Sequence, residues 1–260
     1  MRMRDLLARA REELRYEPIQ KRVRATTGDE TIVDTTGALL LWEPRRICPI
    51  YAVPAEDIRA ELAPAPASDA EVAGLLHPGI PFSVHTAPGE PVSLAGAAGY
   101  RLDDLPGYVA IDFEAFDWRE EDEPVRGHPR DPYHRVDVCR SSRALRIERD
   151  GTLVAETTRA RLVFETQLPT RYYFPREDVR APLRASDLRT YCPYKGEASY
   201  WSLEGGENLL WCYEQPLADA APLGGLLAIW DERFEVYLDG ERQAPREDVI
   251  AEVMLDEFGV

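Results

Sequence analysis

Apolar and polar residues alternate with a period of two along much of the chain, and the alternation is interrupted where turns belong. In "RALRIERDGTLVAET", Arg143–Thr157, two alternating runs flank Asp150 and Gly151, a pair suited to the positive φ angles of a type I′ hairpin turn. "RFEVYLDGER", Arg233–Arg242, repeats the device, with Phe234, Val236 and Leu238 on one face before Asp239 and Gly240. Two such hairpins predict a mainly antiparallel sheet. "FPREDVRAPL", Phe174–Leu183, breaks the period: Pro175 suits a first helical turn, Glu177 and Asp178 complement its positive end, and Pro182 forbids continuation. It predicts one short helical turn. The first 20 or so residues read as an amphipathic helix, and "REDVIAEVMLDEF" near the C-terminus as another.

The pattern occurs twice. "TTGALLLWE", Thr35–Glu43, matches "TTRARLVFE", Thr157–Glu165, at five of nine positions and an offset of 122. "YAVPAEDIRAEL", Tyr51–Leu62, matches "YYFPREDVRAPL", Tyr172–Leu183, at seven of twelve and an offset of 121. "GYVAIDFEAFDW", Gly107–Trp118, matches "GLLAIWDERFEV", Gly225–Val236, at five of twelve and an offset of 118. Three blocks in one order at nearly constant offset indicate a duplicated domain of ordinary size. The expected division is a helix over 1–20, a first β domain over 21–125, a connector over 126–137, a second β domain over 138–245 and a helix over 246–260.

Composition narrows the class. A chain of 260 residues, 44% hydrophobic and 30% charged, has enough apolar content for two cores. Its net charge of −16 repels phosphate backbones and anionic lipid, so neither nucleic acid nor a membrane surface is an expected partner. The acidic run "EAFDWREEDE", Glu114–Glu123, reads first as a solvated surface. No apolar run reaches the roughly 20 residues of a membrane span, and the N-terminus is charged throughout, which together predict a cytoplasmic protein. Four irregularly spaced cysteines (Cys48, Cys139, Cys192 and Cys212) fit reduced thiols, and with no C-x-x-C pair a structural zinc site is not expected.

The segments "YYFPREDVR", "CPYKGEASYW" and "HPRDPYHRVDV" together resemble a bacterial family of unknown function, numbered four hundred and twenty-seven and also labelled nucleotidyltransferase-like. The chain is similar to a tandem form of it over roughly residues 20–245. The resemblance implies two small β-tent-like antiparallel domains without the zinc cysteines of other β-tents, each here with one short helix, plus the terminal helices. It implies no catalytic residues. The transferase label would require phosphates cradled by a loop and paired carboxylates on Mg²⁺. The sequence has no G-x-x-x-x-G-K-[ST] loop and no Gly-Ser followed by a spaced Asp-x-Asp.

Candidate chemistry concentrates in "YCPYKGEASYWSL", Tyr191–Leu203. Taken as a strand from Tyr194, it puts Lys195, Glu197 and Trp201 on one face and Tyr194, Ala198 and Tyr200 on the other; a bulge at Gly196 would invert that parity. Two readings stand: a surface Lys195–Glu197 pair beside a half-buried Trp201, or a pocket floor where Lys195 and Trp201 receive an anionic or planar ligand. Cys192 precedes Pro193, which favours extended geometry, and the second copy has no histidine from Arg135 onward. A nucleophilic Cys192 would therefore need a base from elsewhere, such as His134 in the connector, and the alternative is an inert thiol. His128, Asp131 and His134 recur every third residue, but Pro129 and Pro132 spread them too far for one ion unless the chain turns tightly; a clasp of Arg130, Tyr133 and His134 between the copies is preferred. Trp211, Tyr213 and Trp230 are core or, if two of them meet Trp201, a cage for a flat or cationic ligand.

The first copy reads "HPGIPFSVHTA", His77–Ala87, at the matching place, keeping a proline but not the lysine or tryptophan; Arg176 becomes Ala55. The second copy is thus the better site, with His85 of the first a weaker candidate. The expectation is a small-ligand-binding protein using Tyr173, Arg176, Lys195, Tyr200 and Trp201, with no cofactor or metal. The alternatives are an enzyme using Cys192 or Lys195 covalently, with His134 as base, or a scaffold binding a protein partner through its terminal helices.

Overall fold

The computed structural model describes residues 2–11, 13–44, 46–65 and 89–244. The expected C-terminal helix and His85 lie outside these. The chain forms two units, Met1–Asp131 and Pro132–Val260, dividing inside the expected connector.

Each unit pairs a seven-stranded with a four-stranded antiparallel sheet, and the two units share one strand order. In the second unit the large sheet runs Val136–Arg140, Arg161–Glu165, Arg171–Phe174, Leu227–Ile229, Gly206–Cys212, Gly196–Leu203, Arg184–Cys192. The small sheet runs Thr152–Thr157, Leu145–Arg149, Glu235–Leu238, Glu241–Arg242. The first unit repeats both orders, so the duplication seen in the sequence is a duplication of topology.

The alternating strands build the small sheet. Leu145, Ile147, Val154, Val236 and Leu238 are buried on its inner face, and Phe234 packs against them. The predicted turns form as expected, with Asp150 and Gly151 at φ 51° and 73° and Asp239 and Gly240 at 54° and 83°. A Cβ at position 151 meets no neighbour, so Gly151→Ala isolates the backbone cost of positive φ. It should lower stability by about 1 kcal/mol in urea unfolding.

The unbroken apolar runs build the centre of each large sheet, where both faces are covered. Leu39–Trp42 and Ile50–Val53 are buried throughout, Leu40 and Val53 between the sheets, Leu41 and Ala52 on the outer face. In the second unit Leu162 and Phe174 face the small sheet, while Val163 and Tyr173 belong to an outer cluster with Trp211 and Tyr213. Ala220 and Leu223, from a 3₁₀ segment Ala218–Leu223, pack into that outer cluster.

Two expectations are corrected. The N-terminal helix covers only Met3–Ala10; Arg15–Pro18 is an edge strand paired with Leu39–Trp42, where alternating partial burial suits a strand. The short helix per copy is a single 3₁₀ turn, Ala55–Asp57 or Arg176–Asp178, with the proline capping it from outside; further 3₁₀ turns occur at Phe113–Ala115, Ala218–Leu223 and Asp231–Arg233. The acidic run 114–123 is an exposed surface as expected, apart from Phe116 and Trp118, which point inward, and Glu120, which accepts the Tyr51 hydroxyl at 2.9 Å. No described helix is long and apolar enough to cross a membrane.

Candidate functional site

In the second unit the turn after the edge strand Arg184–Cys192 carries the chemistry. Gly196 has a φ of 98°, conformational freedom that glycine supplies, and the strand begins there instead of at Tyr194. Lys195 therefore belongs to the turn. It is buried, whereas Glu197 is exposed, so the surface pair between them does not form.

Lys195 instead donates to both oxygens of Glu165, at 2.6 Å each. Glu165 ends the second strand of the sheet, and Lys195 precedes the sixth. Four strand spacings of about 4.8 Å would separate them in a flat sheet, roughly 19 Å and beyond the reach of two side chains. The sheet must curl, with its outer face concave, and the ion pair latches across the concavity. His134 completes the latch: its Nε2 lies 3.3 Å from Glu165 Oε2, and its ring stacks on Tyr194 at 4.2 Å.

The Glu165 side chain is only 4% exposed, and the electrostatics follow from that. Burial opposes its ionisation, but the Lys195 charge and the bonds from His134 and Lys195 outweigh burial and hold the carboxyl down to about 2. Burial likewise disfavours the Lys195 ammonium, and Glu165 overrides it, raising Lys195 above the ordinary lysine value. Both groups are thus ionised at neutral pH. Behind them Trp211 Nε1 donates to the Tyr173 hydroxyl at 3.0 Å, and burial raises both Tyr173 and Tyr213 above the usual phenol range. Cys192 is half-buried in this cluster, close enough to act electrostatically on Lys195, Tyr173 and Tyr213. At the rim the hydroxyls of Thr190 and Tyr200 are 2.9 Å apart.

The five expected ligand residues do not all converge. Tyr173, Lys195 and Tyr200 lie on the concave side, whereas Trp201 packs against the inter-sheet core. The Arg176 guanidinium sits 3.9 Å from the Trp201 ring centroid and pairs with Glu214 at 3.2 Å. Trp211 and Trp230 approach to 4.4 Å, but Trp201 does not join them, and Trp211 and Tyr213 are core. His134 acts as a member of the second unit's latch, and His128 Nδ1 lies 2.7 Å from the neighbouring Pro129 carbonyl. Among the described residues no three or more His, Cys, Asp and Glu side chains gather to hold a metal. A groove of about 590 Å³ opens at the far end of the hairpin, lined by Leu183, Arg184, Ser202, Glu204 and Glu207 among others, and by none of the five.

Glu165 was missed in the sequence, although it ends the first repeated block. Its counterpart Glu43 is buried as well, accepts the Tyr100 hydroxyl and lies 3.5 Å from Arg46 Nε. Here burial dominates and raises the carboxyl to about 7. Tyr100 reaches Glu43 across the outer face of the first sheet as Lys195 reaches Glu165 in the second. The identical end residue of "TTGALLLWE" and "TTRARLVFE", polar after an apolar run, was the available signal.

Residues 137–240, within the second unit, match the NTP_transf_9 family model, described as a domain of unknown function (DUF427). No curated protein matches the chain.

Proposed function

We propose that the second unit, a DUF427 domain through residues 137–240, binds a small molecule at the concave rim formed by His134, Thr190, Cys192 and Tyr200. The observation that carries this reading is the Lys195–Glu165–His134 latch. Burying two opposite charges stabilises a fold little, because desolvation offsets their attraction, whereas perturbed ionisable groups gather at functional sites.

The latch also bears on the ligand. Lys195 and Glu165 neutralise each other, so neither is free to receive a charged group, and an anion seated on Lys195 is disfavoured. What faces the rim is a hydroxyl pair, a thiol, an imidazole and aromatic walls. These suit an uncharged, planar molecule with a few hydrogen-bonding groups.

A thermal-shift screen of uncharged heteroaromatic compounds should yield stabilising hits that weaken at least tenfold in His134→Ala and Tyr200→Phe. Arg176→Ala, on the other face, should leave them unchanged. Hits that ignore the first two substitutions count against the site.

The Glu165–His134 bond favours a second reading, an enzyme in which Glu165 orients His134 as a base for the Cys192 thiol. Iodoacetamide should then alkylate Cys192 faster than exposed Cys139, and His134→Ala should abolish the difference. Equal rates would remove the enzyme reading and leave binding.

A further inference from the structure

The groove at the turn between the strands Gly196–Leu203 and Gly206–Cys212 lies at the opposite end of the first of these strands from Lys195, roughly 23 Å away. Its volume of about 590 Å³ is that of a small-molecule site. Pro182, Leu183 and Leu203 supply apolar walls, and the lining carries two carboxylates, Glu204 and Glu207, against one guanidinium, Arg184.

The two carboxylates are held differently. Arg184 Nη2 donates to Glu207 Oε1, and the hydroxyl of Ser202, a fully buried residue, donates to Oε2 at 2.9 Å. Ser202 is held in turn by the Asn208 N–H at 3.0 Å. The bond from Arg184 and then that from Ser202 keep the Glu207 carboxyl below the usual glutamate range. Glu204 is exposed and, among the described residues, its carboxylate has no partner. Arg184 and Glu207 balance each other, so the unbalanced charge of the groove is Glu204.

The first unit shows that the fold does not require these charges. Arg184 faces Ser202 across the sheet as Ala63 faces Ser93, and the turns Leu203–Gly206 and Leu94–Ala97 close matching hairpins. Arg184 thus stands where the first unit has Ala63, and Glu204 where it has Ala95. Leu210 and Gly99 are matched through their partners Ile229 and Ile111, and two more residues lie between Leu203 and Leu210 than between Leu94 and Gly99. Glu207 lies in that lengthened stretch, whereas residues 94–99 are only leucine, alanine and glycine.

We propose that this groove binds a small organic cation, with an ammonium group on Glu204 and Glu207 and an apolar body against Leu183 and Leu203. An ammonium has three N–H donors, and a carboxylate accepts about four hydrogen bonds, of which Arg184 and Ser202 use two on Glu207. The net charge of −16 draws cations to the chain. The proposal does not rest on the rim, which suits uncharged ligands.

Calorimetric titration of the full chain with hexylamine at neutral pH, and with hexanol and hexanoate at the same ionic strength, tests the proposal. Hexylamine, an ammonium ion at that pH, should saturate one site, hexanol should bind at least tenfold more weakly, and hexanoate should not saturate. Glu204→Ala, which installs the residue of the first unit on an exposed turn, should weaken hexylamine at least tenfold. Glu207→Gln, which still accepts from Ser202, should do the same. Glu241→Gln removes an exposed carboxylate elsewhere in the unit and should bind as the parent does. Absence of saturation by hexylamine, equal affinity for hexanol or hexanoate, parental affinity in whichever of the two groove variants fold, or an equal loss in Glu241→Gln would overturn the proposal.

Discussion

Replacing Lys195 with methionine should destabilise the second unit by about 3–5 kcal/mol, the range found when one partner of a buried ion pair is removed. The substitution keeps the length of the side chain and deletes its charge. Glu165, with its side chain 4% exposed, would then have to stay ionised with only His134 beside it or take up a proton. Either course is costly, because the local environment that holds the carboxyl at about 2 consists largely of Lys195. The double change Lys195→Met with Glu165→Leu should recover most of the loss, since an apolar pair of similar volume dispenses with desolvating two charges. Urea unfolding followed by hydrogen exchange in peptides from 132–244 reads both. A loss below about 1 kcal/mol for the single variant would class the pair with exposed surface bridges and refute the latch.

The two copies should respond to pH in opposite directions, although their carboxylates occupy matched positions. Glu43 is raised to about 7 in the folded state against an ordinary value of 4.5. The folded first unit therefore binds a proton more tightly than the unfolded chain, and this contribution is fully present below pH 4.5 and lost as pH rises through 7. Glu165 is lowered to about 2, so its contribution is present above pH 4.5 and lost as pH falls towards 2. Each shift corresponds to a contribution on the order of 3 kcal/mol. Other buried groups titrate too, Asp231 among them with a carboxyl raised by burial to about 6, so single variants isolate the effects. Glu43→Gln should flatten the stability profile of the first unit between pH 4.5 and 7, and Glu165→Gln that of the second below pH 4.5. Parallel profiles in parent and variant would contradict the assignments.

The fold was legible because its signals are local. The Asp-Gly turns, the alternation around them and the offset between repeated blocks each depend on a few adjacent residues, and each appears in the structure. The start of the strand at Gly196 was not legible. Whether a glycine continues a strand or adopts positive φ depends on what packs above it, here the segment in which Leu217 N–H donates to the Lys195 carbonyl. Starting the strand two residues later left its facing unchanged but placed Lys195 in the turn, where its partner is buried instead of exposed. The latch was hidden for a related reason: Glu165 and Lys195 are 30 residues apart, and only the curl of the sheet brings them together. Arg176 and Trp201 belonged to the right segments, but the faces they occupy are set by tertiary packing.

The most direct test of the second unit's site is to map compound binding residue by residue with two-dimensional NMR of the full chain. Uncharged heteroaromatic compounds should perturb His134, Thr190, Cys192, Lys195 and Tyr200 together and saturably. Perturbations converging on Arg176 and Trp201, scattering over the surface or failing to saturate would contradict a site on the concave rim.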